Sequence, residues 1–171
     1  MPRKERNLYQ PEFQFPTHGS LFPAPREPHL DRFVREVQQE VTVTSSAVAG
    51  QYFLEHVYTP FSAFPQEELW MILLNTRNRI THQAFVYRGT LDAAPVRVAE
   101  IYRPAIQFNA ASIIISHCHP SGDPSPSTAD VSVTEQIVRG GTILSIPCLD
   151  HIIVGDGRYQ SLREAKLGFN A

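Results

Sequence analysis

An apolar stretch that runs directly into a histidine-containing loop is the feature that most constrains how this chain can fold. Residues 112–116 read Ser-Ile-Ile-Ile-Ser, which predicts a buried strand. His117 and His119 follow at once, and because alternate side chains of a strand share a face, both should point the same way. Three prolines and one glycine then indicate a loop, and Ser127-x-x-Asp130 is typical of a helix start. This unit can bring Asp130 back towards the histidines.

The residue types in this unit are those of a metal site. Two imidazoles, one carboxylate and an open fourth position describe a catalytic zinc site, although the same donors also accept manganese or iron. A His-x-His pair alone is more often an ordinary surface or hydrogen-bonded pair, and Ser127 with Asp130 can be explained as a capping box. The two interpretations are compatible, because a capping residue can also face a metal.

The complete string is more specific than its parts. Counted from His117, it is His-x-His-x7-Ser-x2-Asp, which resembles the metal-binding motif of the JAMM (MPN+) metalloprotease fold. Its wider form, His-x-His-Pro-Ser-Gly-Asp-Pro-x-Pro-Ser-x-x-Asp, is similar to the RadC-type branch of that superfamily. Further segments resemble RadC in the family's order: residues 75–80, 89–92, 105–111 and 149–155. The resemblance spans residues 45–169.

The resemblance implies an α/β fold, the JAMM (cytidine-deaminase-like) α/β sandwich with a mixed β-sheet flanked by helices. It implies one Zn²⁺ per chain, held by His117, His119 and Asp130. It also implies a zinc-dependent metallohydrolase of the peptidase or isopeptidase type, in which a metal-activated water attacks an amide carbonyl. The family's catalytic glutamate corresponds to Glu67, and Ser127 corresponds to the serine whose hydroxyl helps to bind the oxyanion.

The register of the early strand leaves an alternative open for the general base. Counting back from Asn75 places Glu67 at the family position. A slip of one residue would select Glu68 instead, since adjacent strand residues face opposite sides. Both carboxylates can also be solvated charges at the start of a strand.

The chain departs from the family pattern at two places. Cys118 stands where the family usually has Asn, and residues 98–100 read Val-Ala-Glu in place of Pro-Arg-Glu. Neither change removes a metal ligand, and we expect Cys118 to face away from the histidines as a small buried hydrophobe. Of Asp150 and His151, one can support a metal-bound histidine, although both are explained more simply as satisfied polar residues of a late strand.

Apolar periodicity and turn residues divide the rest of the chain. The proline-rich residues 1–27 predict a disordered tail, and residues 28–171 a single RadC-like domain that stands alone, without the helix-hairpin-helix region of RadC relatives. Helices are predicted at residues 31–40, from Ser45 or Ser46 to 57, at 98–109, and at 129–138, where Gly140-Gly141 ends the last. Strands are predicted at residues 68–74, 82–86, 112–116, 143–147 and 150–154, and a closing strand or helix begins at 161.

The composition restricts the kinds of partner and the cellular location that we expect for this protein. The net charge of −2 argues against strong non-specific binding of nucleic acid, although the family association with DNA repair keeps such a partner open. No apolar run is long enough to span a membrane. Two distant cysteines are more consistent with a reducing cytoplasm than with a disulfide framework. We therefore expect a cytoplasmic protein with a peptide or protein substrate, and the resemblance also makes a homodimer plausible.

Two other functions compete with the hydrolase. One is a non-catalytic interaction or DNA-repair-associated module in which the metal is structural or idle. The other is a metal-dependent nuclease, which would need a basic groove that the net charge of −2 does not promise. Replacement of Glu67 separates these classes, because a hydrolase should lose turnover while it keeps its metal.

Overall fold

The computed structural model describes residues 34–89 and 97–169. A six-stranded sheet runs through this part of the chain in the order β1-β3-β2-β4-β5-β6. The strands are β1 (Val34–Glu36), β2 (Glu68–Leu74), β3 (Ile80–Arg88), β4 (Ser112–Cys118), β5 (Cys148–Val154) and β6 (Tyr159–Ser161). The helices are α1 (Ser46–His56), α2 (Val98–Gln107) and α3 (Thr128–Leu144), with a short 3-10 helix at Phe61–Ala63.

The sheet is mixed, as the resemblance implied. β4 and β5 are parallel, whereas the other neighbouring strands are antiparallel. Because parallel neighbours need a long crossover connection, the chain between β4 and β5 forms α3, which packs against β5 and α2. The predicted α/β sandwich is confirmed.

Apolar side chains cover both faces of the sheet around β4. Ile113 and Ile115 pack in a core with residues of α2 and α3, whereas Ile114 and Cys118 pack in a second core with residues of α1. Every residue of β4 is buried. Since burial of one such side chain contributes about 1.5–3 kcal/mol, the strand is firmly held. Its C-terminal end is therefore a rigid place for functional side chains.

Most of the predicted elements are confirmed. Ser45 caps α1 by accepting a hydrogen bond from the Val48 N–H at 3.3 Å, and the C-cap is Val57. β2 has its predicted bounds, and β3 extends beyond its predicted range at both ends. α2 begins where expected and accommodates Pro104, although it ends before residue 109. Within the described residues, no helix combines the length and the apolar character needed to cross a membrane.

The helix predicted over residues 31–40 is wrong in its described part. Val34–Glu36 forms β1, an edge strand antiparallel to β3. The apolar spacing fits a helix, but an isolated helix of about ten residues is marginal in water, and the edge of β3 offers backbone partners instead. Residues 31–33 and the predicted disordered tail at 1–27 lie outside the described residues.

The end predicted for α3 is also wrong, and so is the strand predicted over residues 143–147. The helix continues through both glycines to Leu144 and ends at Ser145, whose φ of 58° is left-handed. Ile143 is 83% exposed. Its apolar side chain favoured a strand in the sequence, but it lies on the outer surface of the helix.

The two glycines serve helix packing rather than helix termination. A β-carbon on Gly140 would collide with Val98 of α2. One on Gly141 would collide with the Tyr102 hydroxyl and lie 2.7 Å from the Ile146 carbonyl oxygen. Gly140 and Gly141 thus allow α2 and the chain after α3 to approach closely. Glycine is common at helix ends. A glycine pair that allows close packing inside a helix looks the same in the sequence as one that ends a helix.

Candidate metal centre

The end of β4 and the first turn of α3 bring three metal-ligating side chains together. One ligand atom from each of His117, His119 and Asp130 lies within 4.8 Å of the other two. His117 and Asp130 are buried, at 1% and 3% exposure, whereas the His119 side chain is 15% exposed. This group can hold a metal ion, with the His119 side nearest to solvent.

The spacing of the ligand atoms agrees with a tetrahedral ion. His117 Nε2 lies 2.9 Å from His119 Nε2 and 3.1 Å from Asp130 Oδ1, and His119 Nε2 lies 3.6 Å from Asp130 Oδ2. Ligand atoms about 2.0–2.1 Å from a tetrahedral zinc are about 3.3–3.4 Å apart, and the two separations measured from His117 Nε2 fall slightly below that value. The donors fit zinc in kind and spacing, and manganese or iron in kind.

The loop after β4 orients His119. Its Nδ1 lies 2.9 Å from the Asp123 carbonyl oxygen, which can only accept, so Nδ1 carries the proton and Nε2 is left for a metal. The loop is held in turn at Gly122, whose carbonyl oxygen accepts from the Asp156 N–H at 3.2 Å and from Arg158 at 3.1 Å. Because Gly122 has a φ of +81°, this turn favours glycine.

Asp130 and Ser127 form the predicted capping box. The Ser127 hydroxyl and N–H each donate to Asp130 Oδ2 at 2.7 Å, and the Asp130 N–H donates to the Ser127 hydroxyl oxygen at 3.1 Å. Burial opposes ionisation of Asp130, but the hydrogen bonds from His117, His119 and Ser127 hold its pKa well below the usual range. Asp130 is therefore an anion whose Oδ2 accepts from Ser127 and whose Oδ1 faces His117 Nε2.

His117 is supported from the interior of the protein. Its Nδ1 lies 2.8 Å from His151 Nε2, and His151 Nδ1 lies 2.6 Å from the Thr134 hydroxyl. Burial lowers the pKa of His151 well below its usual value. Of the two residues proposed for this support, His151 contacts the ligand, whereas the Asp150 carboxylate accepts from Ser161 at 2.8 and 2.9 Å.

Thr134 was missed by the sequence analysis. It is fully buried and its hydroxyl lies 2.5 Å from the Asp130 carbonyl oxygen. The signal that would have found it is its position four residues after Asp130, since residues at that spacing share a helix face.

Glu67 immediately precedes β2, at the end of the sheet where β2 pairs with His117 of β4. In the register of β2 and β4, Leu69 is opposite His117, and Glu67 stands two residues earlier, so alternation gives it the same face. The pKa of His119 is raised, chiefly by its hydrogen bond to Asp130, and the negative charge of Glu67 adds to this effect. Glu67 is partly buried.

Glu68 has different surroundings. Its carboxylate is ion-paired with Arg88 at 2.7 Å and accepts a hydrogen bond from Trp70 Nε1 at 2.9 Å. Trp70 packs against the core on the α1 side of the sheet, which is the side opposite the histidines. Glu68 is thus engaged in contacts away from the metal ligands.

Cys118 and Cys148 are both buried, free thiols. Cys118 packs in the core on the α1 side, opposite to His117, as predicted. Burial raises the pKa of the Cys118 thiol to about 11 and that of Cys148 to about 12. Neither belongs to the ligand group, because a metal-bound cysteine is a thiolate.

Comparison with known proteins decides the family. Residues 43–167 match the family model of the RadC-like JAB domain. This chain belongs to the RadC-like JAB domain family. The JAB domain family includes metalloisopeptidases, and the ligand group of His117, His119 and Asp130 lies inside the matched range.

Curated relatives support the same assignment. A UPF0758 protein of Chloroflexus aurantiacus is 49% identical over 108 residues, which are 63% of this chain and 47% of that protein. A UPF0758 protein of Methanosarcina mazei is 40% identical over 135 residues, which are 79% and 56% of the two chains. One of Shouchella clausii is 40% identical over 131 residues, or 76% and 57%. The chain thus spans about half the length of the curated relatives it matches.

Proposed function

We propose that this RadC-like JAB domain is a zinc-dependent metallohydrolase that cleaves an amide bond in a peptide or protein substrate, as a peptidase or isopeptidase. The observation that carries the proposal is the convergence of His117 Nε2, His119 Nε2 and Asp130 Oδ1. Three protein ligands leave a fourth position, which distinguishes catalytic from structural zinc sites. When bound, zinc supplies Lewis-acid chemistry, because it lowers the pKa of a water to about 7 and polarises a carbonyl.

In this proposal, Glu67 takes a proton from the attacking water and returns it to the leaving amine. Its position two residues before Leu69, which pairs with His117, supports this role. General acid–base catalysis of this kind contributes about 10²- to 10⁴-fold to the rate. The ion pair between Glu68 and Arg88 makes Glu68 the weaker choice for the base.

Ser127 is proposed to stabilise the oxyanion. Its hydroxyl proton is directed at Asp130 Oδ2, but the Ser127 N–H also donates to that oxygen. Asp130 Oδ2 would therefore keep a partner when the hydroxyl turns towards a substrate. A donor of this kind is worth about 3 kcal/mol in the transition state.

The proposal is tested with the full chain loaded with zinc and assayed against peptide and isopeptide libraries. Glu67→Gln should lower turnover about 10²- to 10⁴-fold with zinc content unchanged. Glu68→Gln makes the same chemical change one residue on and serves as the matched control. Undiminished hydrolysis by Glu67→Gln, or a loss in Glu68→Gln alone, would overturn the assignment of the base. Cleavage of DNA without cleavage of amides would favour the nuclease, and bound zinc without any hydrolysis would favour the interaction module.

A further inference from the structure

A chain of buried polar groups leads from the metal ligands into the core and back again. It runs from His117 Nδ1 to His151 Nε2 at 2.8 Å, from His151 Nδ1 to the Thr134 hydroxyl at 2.6 Å, and from that hydroxyl to the Asp130 carbonyl oxygen at 2.5 Å. His151 and Thr134 have no exposed surface. The chain therefore joins two of the ligand residues through a path that excludes solvent.

The direction of these hydrogen bonds is fixed at the Asp130 end. A carbonyl oxygen can only accept, so the single hydroxyl proton of Thr134 points at Asp130. Towards His151, the Thr134 oxygen is then an acceptor, and His151 Nδ1 must carry a proton. The opposite direction would leave two lone-pair-bearing oxygens facing each other at 2.5 Å.

The direction of the hydrogen bond between His151 and the ligand residue His117 follows from the same argument. Neither ring nitrogen of His151 is hydrogen-bonded to a carboxylate, and the side chain is fully buried, so the ring carries only the Nδ1 proton. Its Nε2 is an acceptor, so His117 Nδ1 donates to it. With Nδ1 hydrogen-bonded to His151, the remaining ring nitrogen of His117 that can bind a metal is Nε2, the atom that faces His119 and Asp130.

We propose that His151 and Thr134 are positioning residues that hold His117 in the one tautomer and ring orientation that present Nε2 to a metal. This inference rests on the metal centre of the proposed function. The Asp130 carbonyl oxygen sets the direction of the hydrogen bonds in this chain. Asp130 therefore contributes to the metal centre in two ways: its side chain is a ligand, and its backbone orients the residues that support His117. A neutral imidazole takes the place of the carboxylate, carbonyl or water that usually accepts from a metal-bound histidine.

Zinc affinity of the full chain, measured by competition with a chromophoric chelator, tests the proposal. Thr134→Val keeps the shape of the side chain and removes the hydroxyl, and His151→Phe removes the acceptor for His117. Both should weaken zinc binding about 10- to 100-fold, as the loss of such supporting partners does elsewhere. Thr134→Ser, which keeps the hydroxyl, should bind zinc as the wild type does.

Two control variants separate positioning from general damage to the core. Ser116→Ala removes a buried hydroxyl that has no hydrogen-bond partner within the described residues. Tyr102→Phe removes a buried hydrogen bond to the Ile137 carbonyl oxygen of α3, away from the ligands. Ser116→Ala should change neither melting temperature nor zinc affinity, whereas Tyr102→Phe should lower the melting temperature and leave zinc affinity unchanged. Equal loss of zinc affinity in Tyr102→Phe and Thr134→Val would overturn the proposal.

Nitrogen-15 NMR of the histidine rings gives a readout that a purely structural role would not move. Nδ1 of His117 and of His151 should both be protonated in the wild type, and Thr134→Val should lose this single arrangement at His151. An unprotonated Nδ1 on His117, or unchanged zinc affinity in folded Thr134→Val and His151→Phe, would overturn the proposal. A wild type with the predicted tautomers that binds no zinc would instead overturn the proposed function, so the two failures are distinguishable.

Discussion

Ser127 serves two neighbours at once, and a single substitution separates its roles. Loss of the helix cap in Ser127→Ala should lower the free energy of unfolding by about 1 kcal/mol. Loss of the proposed oxyanion donor should lower turnover about 10²- to 10³-fold, which is more than the stability change explains. Thr142→Ala, which removes an exposed hydroxyl bonded to the Val138 carbonyl oxygen in the same helix, is the control for both. Full turnover in a destabilised Ser127→Ala would limit Ser127 to capping.

The residues of the site differ in how far the sequence revealed them. His117, His119 and Asp130 were found because their chemistry and spacing lie within one short segment. The support behind them was found only in part, because it joins residues far apart along the chain: His151 was one of two candidates, and Thr134 was missed. His151 stands 34 positions from His117 and 17 from Thr134. These contacts depend on the parallel pairing of β4 with β5, which no local pattern specifies.

At the level of elements, prediction succeeded where periodicity and burial agree. Successive side chains of β4 point to opposite faces of the sheet and have different roles. His117 belongs to the metal-ligand group, whereas Cys118 packs in the core on the α1 side. Local sequence patterns gave the wrong prediction where contacts with residues far away in the sequence determine the secondary structure. The edge of β3 turns Val34–Glu36 into a strand, and the approach of α2 explains why α3 carries glycines in its interior.

The glycines of α3 give a prediction about packing. Alanine gains about 1 kcal/mol of helix propensity over glycine, but overpacking costs about 1–3 kcal/mol. Gly141→Ala should be destabilising, because the Ile146 carbonyl oxygen and Cys148 nitrogen near it are backbone atoms that cannot turn away. Gly140→Ala, which meets the Val98 side chain, should cost less. Chemical denaturation of both variants measures the difference, and a Gly141→Ala variant more stable than wild type would contradict this account of the helix crossing.

For the whole molecule, metal binding should increase the free energy of unfolding and therefore the melting temperature. A ligand that binds only the folded state at about 100 times its dissociation constant adds about 2.7 kcal/mol, which for a chain of this size raises the melting temperature by about 5–10 °C. Zinc should produce this rise in the wild type, a chelator should reverse it, and His119→Ala should show no rise. An equal rise in His119→Ala would place the bound zinc elsewhere.

The family and the fold of the domain are established, whereas the partners stay predictions. The chain spans about half the length of its curated relatives, so their activity is not carried over as a whole. A peptide or protein substrate, a homodimer and a cytoplasmic location stay predictions from the sequence, and so does any contact with nucleic acid.

The metal content of the purified protein is the most direct test of the central claim, that His117, His119 and Asp130 form a catalytic zinc site. Mass spectrometry of the full chain after exposure to zinc and removal of the excess should find one zinc per chain. His119→Ala and Asp130→Asn should lose it, and Glu67→Gln should keep it. A folded wild type that retains no metal, or a His119→Ala variant that retains all of it, would contradict the account.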